Sequence, residues 1–569
     1  MKLETFFEKF DQFADAPNAV AKMRELVLEL AVQGKLVEQK PAEGDGRALL
    51  KQIHKKNPPS LTEAEGEPMD SELASFPSSW ASSKLGEVAE IIRGVTFPGS
   101  AKSETRSNGD VACLRTASVQ AEIDWDDLIY ISPTHVSRED QWVIPNDIMI
   151  SMANSYALVG KVAIVREVPQ KATFGAFLAA IRPVLIEPYF LLYVLRSPRM
   201  QAAFRASSSQ TTNIANISLG RMRPLPFPLP PLAEQHRIVA KVDELMALCD
   251  RLEAARAERE ATRDRLAASS LARLNAPDPE TFQADARFVL NALPALTTRP
   301  DQIKQLRQTI LNLAVRGKLV PQDPKDEPAA ELLKRIAAEK ARLVKAGEIK
   351  KEKSLPESEP GEAPFVVSRG WEWVCVRKVT SDRGQMVPDQ DFTYIDVTAI
   401  NKEVGRIEDA KVTSAAEAPS RARKIVRKGD VLYSCVRPYL LNIAIVDLEI
   451  LPPPIASTAF AVLNGFGLVV PRYLWIVLRS PFFVVCVEEK MRGQAYPAIN
   501  DSDFSLLPFP LPPFAEQHRI VAKVDELMAL CDQLEANLTD TDSTRRRLLD
   551  ALLAEALEPA EVRETEAVG

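Results

Sequence analysis

Several short stretches combine residue types that elsewhere perform chemistry. Asn57-Pro58-Pro59-Ser60 supplies three residues of the Asn-Pro-Pro-aromatic tetrapeptide with which adenine methyltransferases bind a target amine and stack the flipped base. Ser60 stands where the ring is needed, and the surrounding linker is charged. Gly34-Lys35, Gly160-Lys161 and Gly317-Lys318 lack the glycine five positions upstream and the following Ser or Thr of a phosphate-binding loop. The six cysteines form no CxxC pair and the four histidines are scattered, which argues against structural zinc or a disulfide framework. His236 and His518 read as surface or interhelix hydrogen-bonding groups, and Cys249 and Cys531 as small core residues. The expectation is a chain with no catalytic residues, no metal site and no cofactor of its own.

A different chemistry, reading base edges and phosphates, asks for Arg, Lys, Asn, Gln, Ser, Thr and Tyr on loops. Two matched pairs of stretches meet that demand. "SSSQTTNIANIS" from Ser207 nominates Gln210, Thr211 and Asn213, and "MRGQAYPAIN" from Met491 nominates Arg492, Gln494 and Tyr496. "SMANSYALVGK" nominates Asn154, Tyr156 and Lys161, and "SCVRPYLLN" nominates Arg437 and Tyr439. Net charge is −7, which by itself argues weakly against a nucleic-acid binder. Residues 77–225 carry 15 Lys+Arg against 13 Asp+Glu and residues 366–507 carry 17 against 16, so these segments sum to +3 and the remainder to −10.

The elements that must position these loops are repeated. Pro226 to Ala254 and Pro508 to Ala536 are identical at 27 of 29 positions, the exceptions being Leu232/Phe514 and Arg251/Gln533. "MRELVLELAVQGKLVEQ" from Met23 returns as "LRQTILNLAVRGKLVPQ" from Leu306, and Asp147/Asp430, Ser151/Ser434 and Tyr156/Tyr439 also correspond, all at an offset of 283. Ile238, Val242, Leu245, Cys249 and Leu252 alternate spacings of four and three, a heptad seam due to stop at Arg256; Ile520 to Leu538 repeat and extend it. Shorter seams over Val20–Leu30 and Ile303–Leu313 end at Gly34 and Gly317, each suited to a left-handed cap. No Gly or Pro interrupts Ala233 to Ala276, which predicts a helix of about 35–40 residues and roughly 50–60 Å. The Pro-Pro steps predict polyproline II leading into the first helical turn. Short β-branched runs such as "DIMISMA" and "DVLYSCVRPYL" predict strands, while "PYFLLYVLRSP" and "PRYLWIVLRSP" predict short buried helices. The fold class that follows is α/β: two mixed α/β domains separated by long antiparallel coiled-coil helices, with a pseudo-twofold internal repeat.

The order helix, variable domain, "PLPPLAEQHRIVAKVDEL" helix, "LRQTILNLAVRGKLV" helix, variable domain, repeated helix resembles the DNA-specificity subunit of type I restriction-modification systems along nearly the whole chain. The resemblance implies two target-recognition domains, 77–225 and 366–507, each reading one half of a gapped asymmetric sequence in double-stranded DNA. It implies conserved helical regions over 1–54, 226–347 and 508–569, with linkers at 55–76 and 348–365. It further implies two methyltransferase subunits as partners, which bring S-adenosylmethionine, and motor-nuclease subunits, which bring ATP and Mg. The near-identity of outward-facing Arg237, Lys241, Asp243, Glu244 and of Arg519, Lys523, Asp525, Glu526 nominates two docking surfaces for the same partner. No signal peptide opens the chain and no run reaches the roughly 18 apolar residues of a membrane span, so a prokaryotic cytoplasm and no membrane partner are expected. A related methyltransferase system without restriction, and a coiled-coil adaptor that binds protein, remain as alternatives.

Overall fold

The computed structural model describes residues 15–58, 76–210, 214–278, 280–349, 363–493 and 496–557. Two compact units emerge: Met1–Arg259 with Asp542–Gly569, and Glu260–Thr541. Thr211, Asn213, Gln494, Pro59 and Ser60 lie outside the described residues.

In the first unit the helix Ala19–Val32 buries Val20, Met23, Val27 and Leu30 against Ile238, Val242, Leu245 and Cys249 of the long helix Leu232–Asn275. The contacts run head to tail: Arg24 pairs with Asp250 and Glu253 at 2.6 and 2.8 Å, whereas Arg237 reaches Glu43. Leu549 and Leu552, from the end of the second long helix Phe514–Leu557, fill the third side of this core. Lys22 pairs with Asp550, and Lys35 donates to the Leu557 carbonyl, so that segment runs parallel to Ala19–Val32 and antiparallel to the first long helix. Gly34 ends the first helix at φ +70°, with Lys35 N–H on the Leu30 carbonyl. A Cβ there would stand 2.5 Å from Pro77, so glycine satisfies both the left-handed turn and the packing.

The second unit repeats this plan. Pro300–Val315 places Ile303 and Ile310 against Ile520, Val524 and Cys531. The third element is now the end of the first long helix, which pairs Glu260 and Asp264 with Arg299 and packs Leu271 and Leu274 against Val289 and Leu306. The first long helix spans 44 residues, about 66 Å at 1.5 Å per residue. It outlasts its seam because ion pairs to Asp15 and Arg299 and a second apolar patch take over beyond Arg256. The helices Gly46–Lys56, Phe282–Leu296 and Ala329–Lys345 were not marked by any seam.

Within each unit the variable segment folds as layered short sheets. In the first, Ala89–Arg93, Leu178–Pro183, Ile148–Ser151 and Val162–Ile164 form an antiparallel four-stranded sheet. Beside it, Val111–Leu114 pairs antiparallel with Ile129–Ile131 and parallel with Ala172–Phe174. In the second, Val431–Ser434 lies between Ile443–Ile445 and Phe460–Leu463, and Phe392–Ile395 again has one antiparallel and one parallel neighbour. Asp147 and Asp430 are fully buried below these sheets. Arg182 grips Asp147 through two bonds of 2.8 and 3.0 Å, while Arg383 and Asn464 serve Asp430 at 2.6 and 3.0 Å.

The residues just before each Pro-Pro step form a strand. Pro226–Leu229 is a strand pairing antiparallel with Ala81–Lys84, and Pro508–Leu511 pairs with Glu372–Cys375. Leu85 N–H and Val376 N–H donate to the Leu225 and Leu507 carbonyls at 2.8 and 3.0 Å. Alternation then turns Phe227 and Leu229 toward the partner strand and the two prolines away from it, where a missing N–H costs nothing. Pro226–Leu229 and Pro508–Leu511 are thereby each closed onto a strand near the start of the variable segment.

Candidate nucleic-acid interface

Strand pairing joins stretches of the first variable domain that lie about sixty residues apart. Ser209–Gln210 pairs antiparallel with Ala215–Asn216, which pairs with Ala153–Asn154, so Gln210, Ala215 and Asn154 form one row. Asn154 accepts from Ser155 N–H at 2.8 Å through its side-chain oxygen. Tyr156 is 50% exposed in the following turn, and Lys161, beyond it, donates to Gln120.

The second domain builds the same junction from different side chains. Arg492 and Val436 both bridge to Ala498, and Ile499 N–H bonds the Cys435 carbonyl at 3.0 Å. Arg437 has φ +48°, is pinned by its N–H to the Pro497 carbonyl at 2.8 Å, and lays its guanidinium over the Tyr496 ring at 4.6 Å. Arg492 bonds Asp503 at 3.1 Å, and Tyr439 and Tyr496 are exposed. The nominated residues within the described chain thus meet in one place per domain, except Lys161, which turns to Gln120.

One residue at this junction went unseen in the sequence. Phe177 is 67% exposed, and its carbonyl accepts from Met152 N–H at 2.9 Å. Ala459 makes the equivalent bond with Cys435 N–H at 2.8 Å. A single aromatic after Gly175-Ala176 carries no polar pattern that would have flagged it.

The repeated helix begins with a network that ties it to its own domain. Trp80 Nε1 and Gln39 Nε2 donate to Glu234 at 3.0 and 2.6 Å; Trp371 Nε1 donates to Glu516 at 3.0 Å, joined by Gln322 at the other carboxylate oxygen. Gln235 accepts from Glu187 N–H and donates to the Pro230 carbonyl, and Gln517 does the same between Val470 and Pro512. Burial pushes the Glu516 carboxyl above the ordinary carboxylate range, against the pull of its hydrogen bonds. His236 faces Glu187 at 3.1 Å and His518 lies edge-on to Phe514. The shared "VLRSP" has a similar basis: Arg196 and Arg479 donate to loop carbonyls at Ala121 and Lys402, and Ser197 and Ser480 cap the next helix.

This network engages half of the residues nominated for docking. Arg237 pairs with Glu43 and Arg519 with Asp326, while Asp243 takes the Tyr193 hydroxyl and Asp525 the Arg472 guanidinium. Their near-identity has an intrachain reason that one sequence could not show. Lys241 with Glu244, and Lys523 with Glu526, pair only along the helix surface, at 2.9 and 2.8 Å. Beside them Leu248 and Leu530 are 42% and 48% exposed.

Residues 77–260 match the family described as the type I restriction modification DNA specificity domain. The chain is 29% identical to the type I restriction enzyme EcoAI specificity subunit of Escherichia coli, over 95% of this chain and 94% of that one. The EcoEI specificity subunit of Escherichia coli is 28% identical with the same two coverages. Over nearly its whole length the chain is thus similar to type I restriction-enzyme specificity subunits. The crystal structure of the HsdS subunit from Thermoanaerobacter tengcongensis shares 19% identity at a TM-score of 0.42, covering 85% of this chain and 98% of its own. These relatives are non-catalytic specificity subunits, and the similarity supports a DNA sequence recognition role in a type I restriction-modification system. Among the described residues no helix is long and apolar enough to cross a membrane.

Proposed function

We propose that each variable domain reads one half of a gapped, asymmetric duplex target through the junction just described, and that the repeated helices dock two methyltransferase subunits. The observation that carries this reading is one scaffold bearing different readers: Asn154 and Arg437 stand at equivalent positions, as do Phe177 and Ala459, beside strand junctions of matching construction. Conserved strands with exchanged side chains are what two different half-sites require. Docking falls to the outward residues that the domains leave over, Lys241, Glu244 and Leu248 in one copy and Lys523, Glu526 and Leu530 in the other. The methyltransferase would bring S-adenosylmethionine, and motor-nuclease subunits would bring ATP and Mg for cleavage.

The test is to express the chain with its neighbouring methyltransferase and map adenine methylation genome-wide. An asymmetric bipartite motif is expected, and exchanging residues 77–229 should alter only one half of it. Methylation that is the same without the chain, or both halves changing together, would overturn the proposal.

A further inference from the structure

Among the nominated readers, Arg437 is built unlike the rest. Its φ of +48° lies in the left-handed region that a side chain with a Cβ rarely adopts. The bond from its N–H to Pro497 holds that conformation, and the preceding residue, Val436, bridges to Ala498. The guanidinium is stacked on Tyr496, which is itself 71% exposed. Arg437 Nε is buried with no hydrogen-bond partner, and no carboxylate among the described residues pairs with this side chain. Arg492, by contrast, is engaged by Asp503, and Asn154 at the equivalent position gives its oxygen to Ser155 N–H.

A planar cation fixed in a strained backbone, stacked on a ring and lacking an acceptor is preorganised for one that arrives with a ligand. A phosphate also accepts such a fork, but a contact to it would serve every sequence alike. The planar fork matches the O6 and N7 acceptors of guanine in the major groove, the commonest specific arginine contact. We infer that Arg437 reads a guanine in the half-site assigned to the second variable domain, with Tyr496 holding the guanidinium plane. This deepens the proposed function and rests on it.

The test uses the full chain with its methyltransferase, comparing wild type, Arg437→Lys and Tyr496→Phe. Duplexes would carry 7-deazaguanine, which lacks the N7 acceptor but pairs normally, at each guanine of the target in turn. Wild type should lose affinity by about 5- to 140-fold at one guanine of one half-site. Arg437→Lys keeps the charge but not the fork, so it should show no further loss from that replacement and should relax the methylation motif at that position alone. Tyr496→Phe keeps the ring and removes the hydroxyl, so loss of discrimination at that guanine in this variant would assign the contact to the hydroxyl and overturn the inference. Uniform weakening on all sequences would make Arg437 a phosphate contact, and unchanged affinity and motif would make it structural; either result overturns the inference. Absence of any bipartite motif in wild type would instead sink the proposed function beneath it.

Discussion

Glu516 offers a direct test of how the long helix is fastened to its domain. The carboxylate is 1% exposed, sits in the first helical turn, and accepts from Trp371 at 3.0 Å and from Gln322. Glu516→Ala would leave the buried Trp371 Nε1–H unsatisfied, at about 1–3 kcal/mol before any cavity is counted, while the exposed Gln322 can turn to water. The unit Glu260–Thr541 spans 282 residues (541 − 260 + 1). At about 2.1 cal/mol/K per residue its unfolding entropy is about 0.6 kcal/mol/K, so its transition should fall by about 2–5 °C. Glu516→Gln retains one acceptor oxygen and should cost about half as much. Differential scanning calorimetry of the full chain would resolve the two. Equal transitions for Ala and Gln would refute the reasoning, since they would mean that the carboxylate's acceptors are not what fastens Trp371 and Gln322.

Two further outcomes follow from the same physics. Because burial raises the folded-state pKa of Glu516 above its ordinary value, the folded state holds the proton longer, and this group's contribution to stability declines as pH rises from the ordinary value through the raised one. The stability advantage of wild type over Glu516→Gln, measured by urea unfolding, should therefore be larger near pH 4 than at neutrality; a gap that widens with pH would reverse the sign and the argument. Arg182→Met should cost about 3–5 kcal/mol by removing the cation from the fully buried Asp147 carboxylate, which would keep the Ile144 N–H at 3.0 Å, and adding Asp147→Leu should recover part of it, whereas a loss below about 1 kcal/mol for the single variant would show that the Ile144 N–H suffices.

The sequence disclosed the helices because their seams are periodic: Ile238, Val242, Leu245 and Cys249 are all buried, as are Ile520, Val524 and Cys531. Matched polar stretches at equal offsets picked out segments that strand pairing brings beside Asn154 and Val436. The strand Pro226–Leu229 stayed hidden because Ala81–Lys84 has no apolar alternation to reveal a partner. The intrachain partners of Arg237, Asp243, Arg519 and Asp525, which are Glu43, Tyr193, Asp326 and Arg472, stayed hidden because they lie 50 to 194 residues away. Phe177 went unseen because exposure belongs to the fold rather than to the residue.

The composition of the first unit from two distant parts of the chain sets a timetable for synthesis. Lys22 meets Asp550 across a separation of 528 residues, and Leu549 and Leu552 complete the core around Val20 and Ile238. Between Arg259 and Asp542 the ribosome must add 282 residues (541 − 259), which at about 5–20 residues per second takes about 14–56 s. Through that interval the nascent first unit holds an unfilled apolar face, in which Met23, Val27, Val242 and Leu245 await residues not yet made. The half that leaves the ribosome first is therefore among the last to close, and it is the half a growing cell would need to shield.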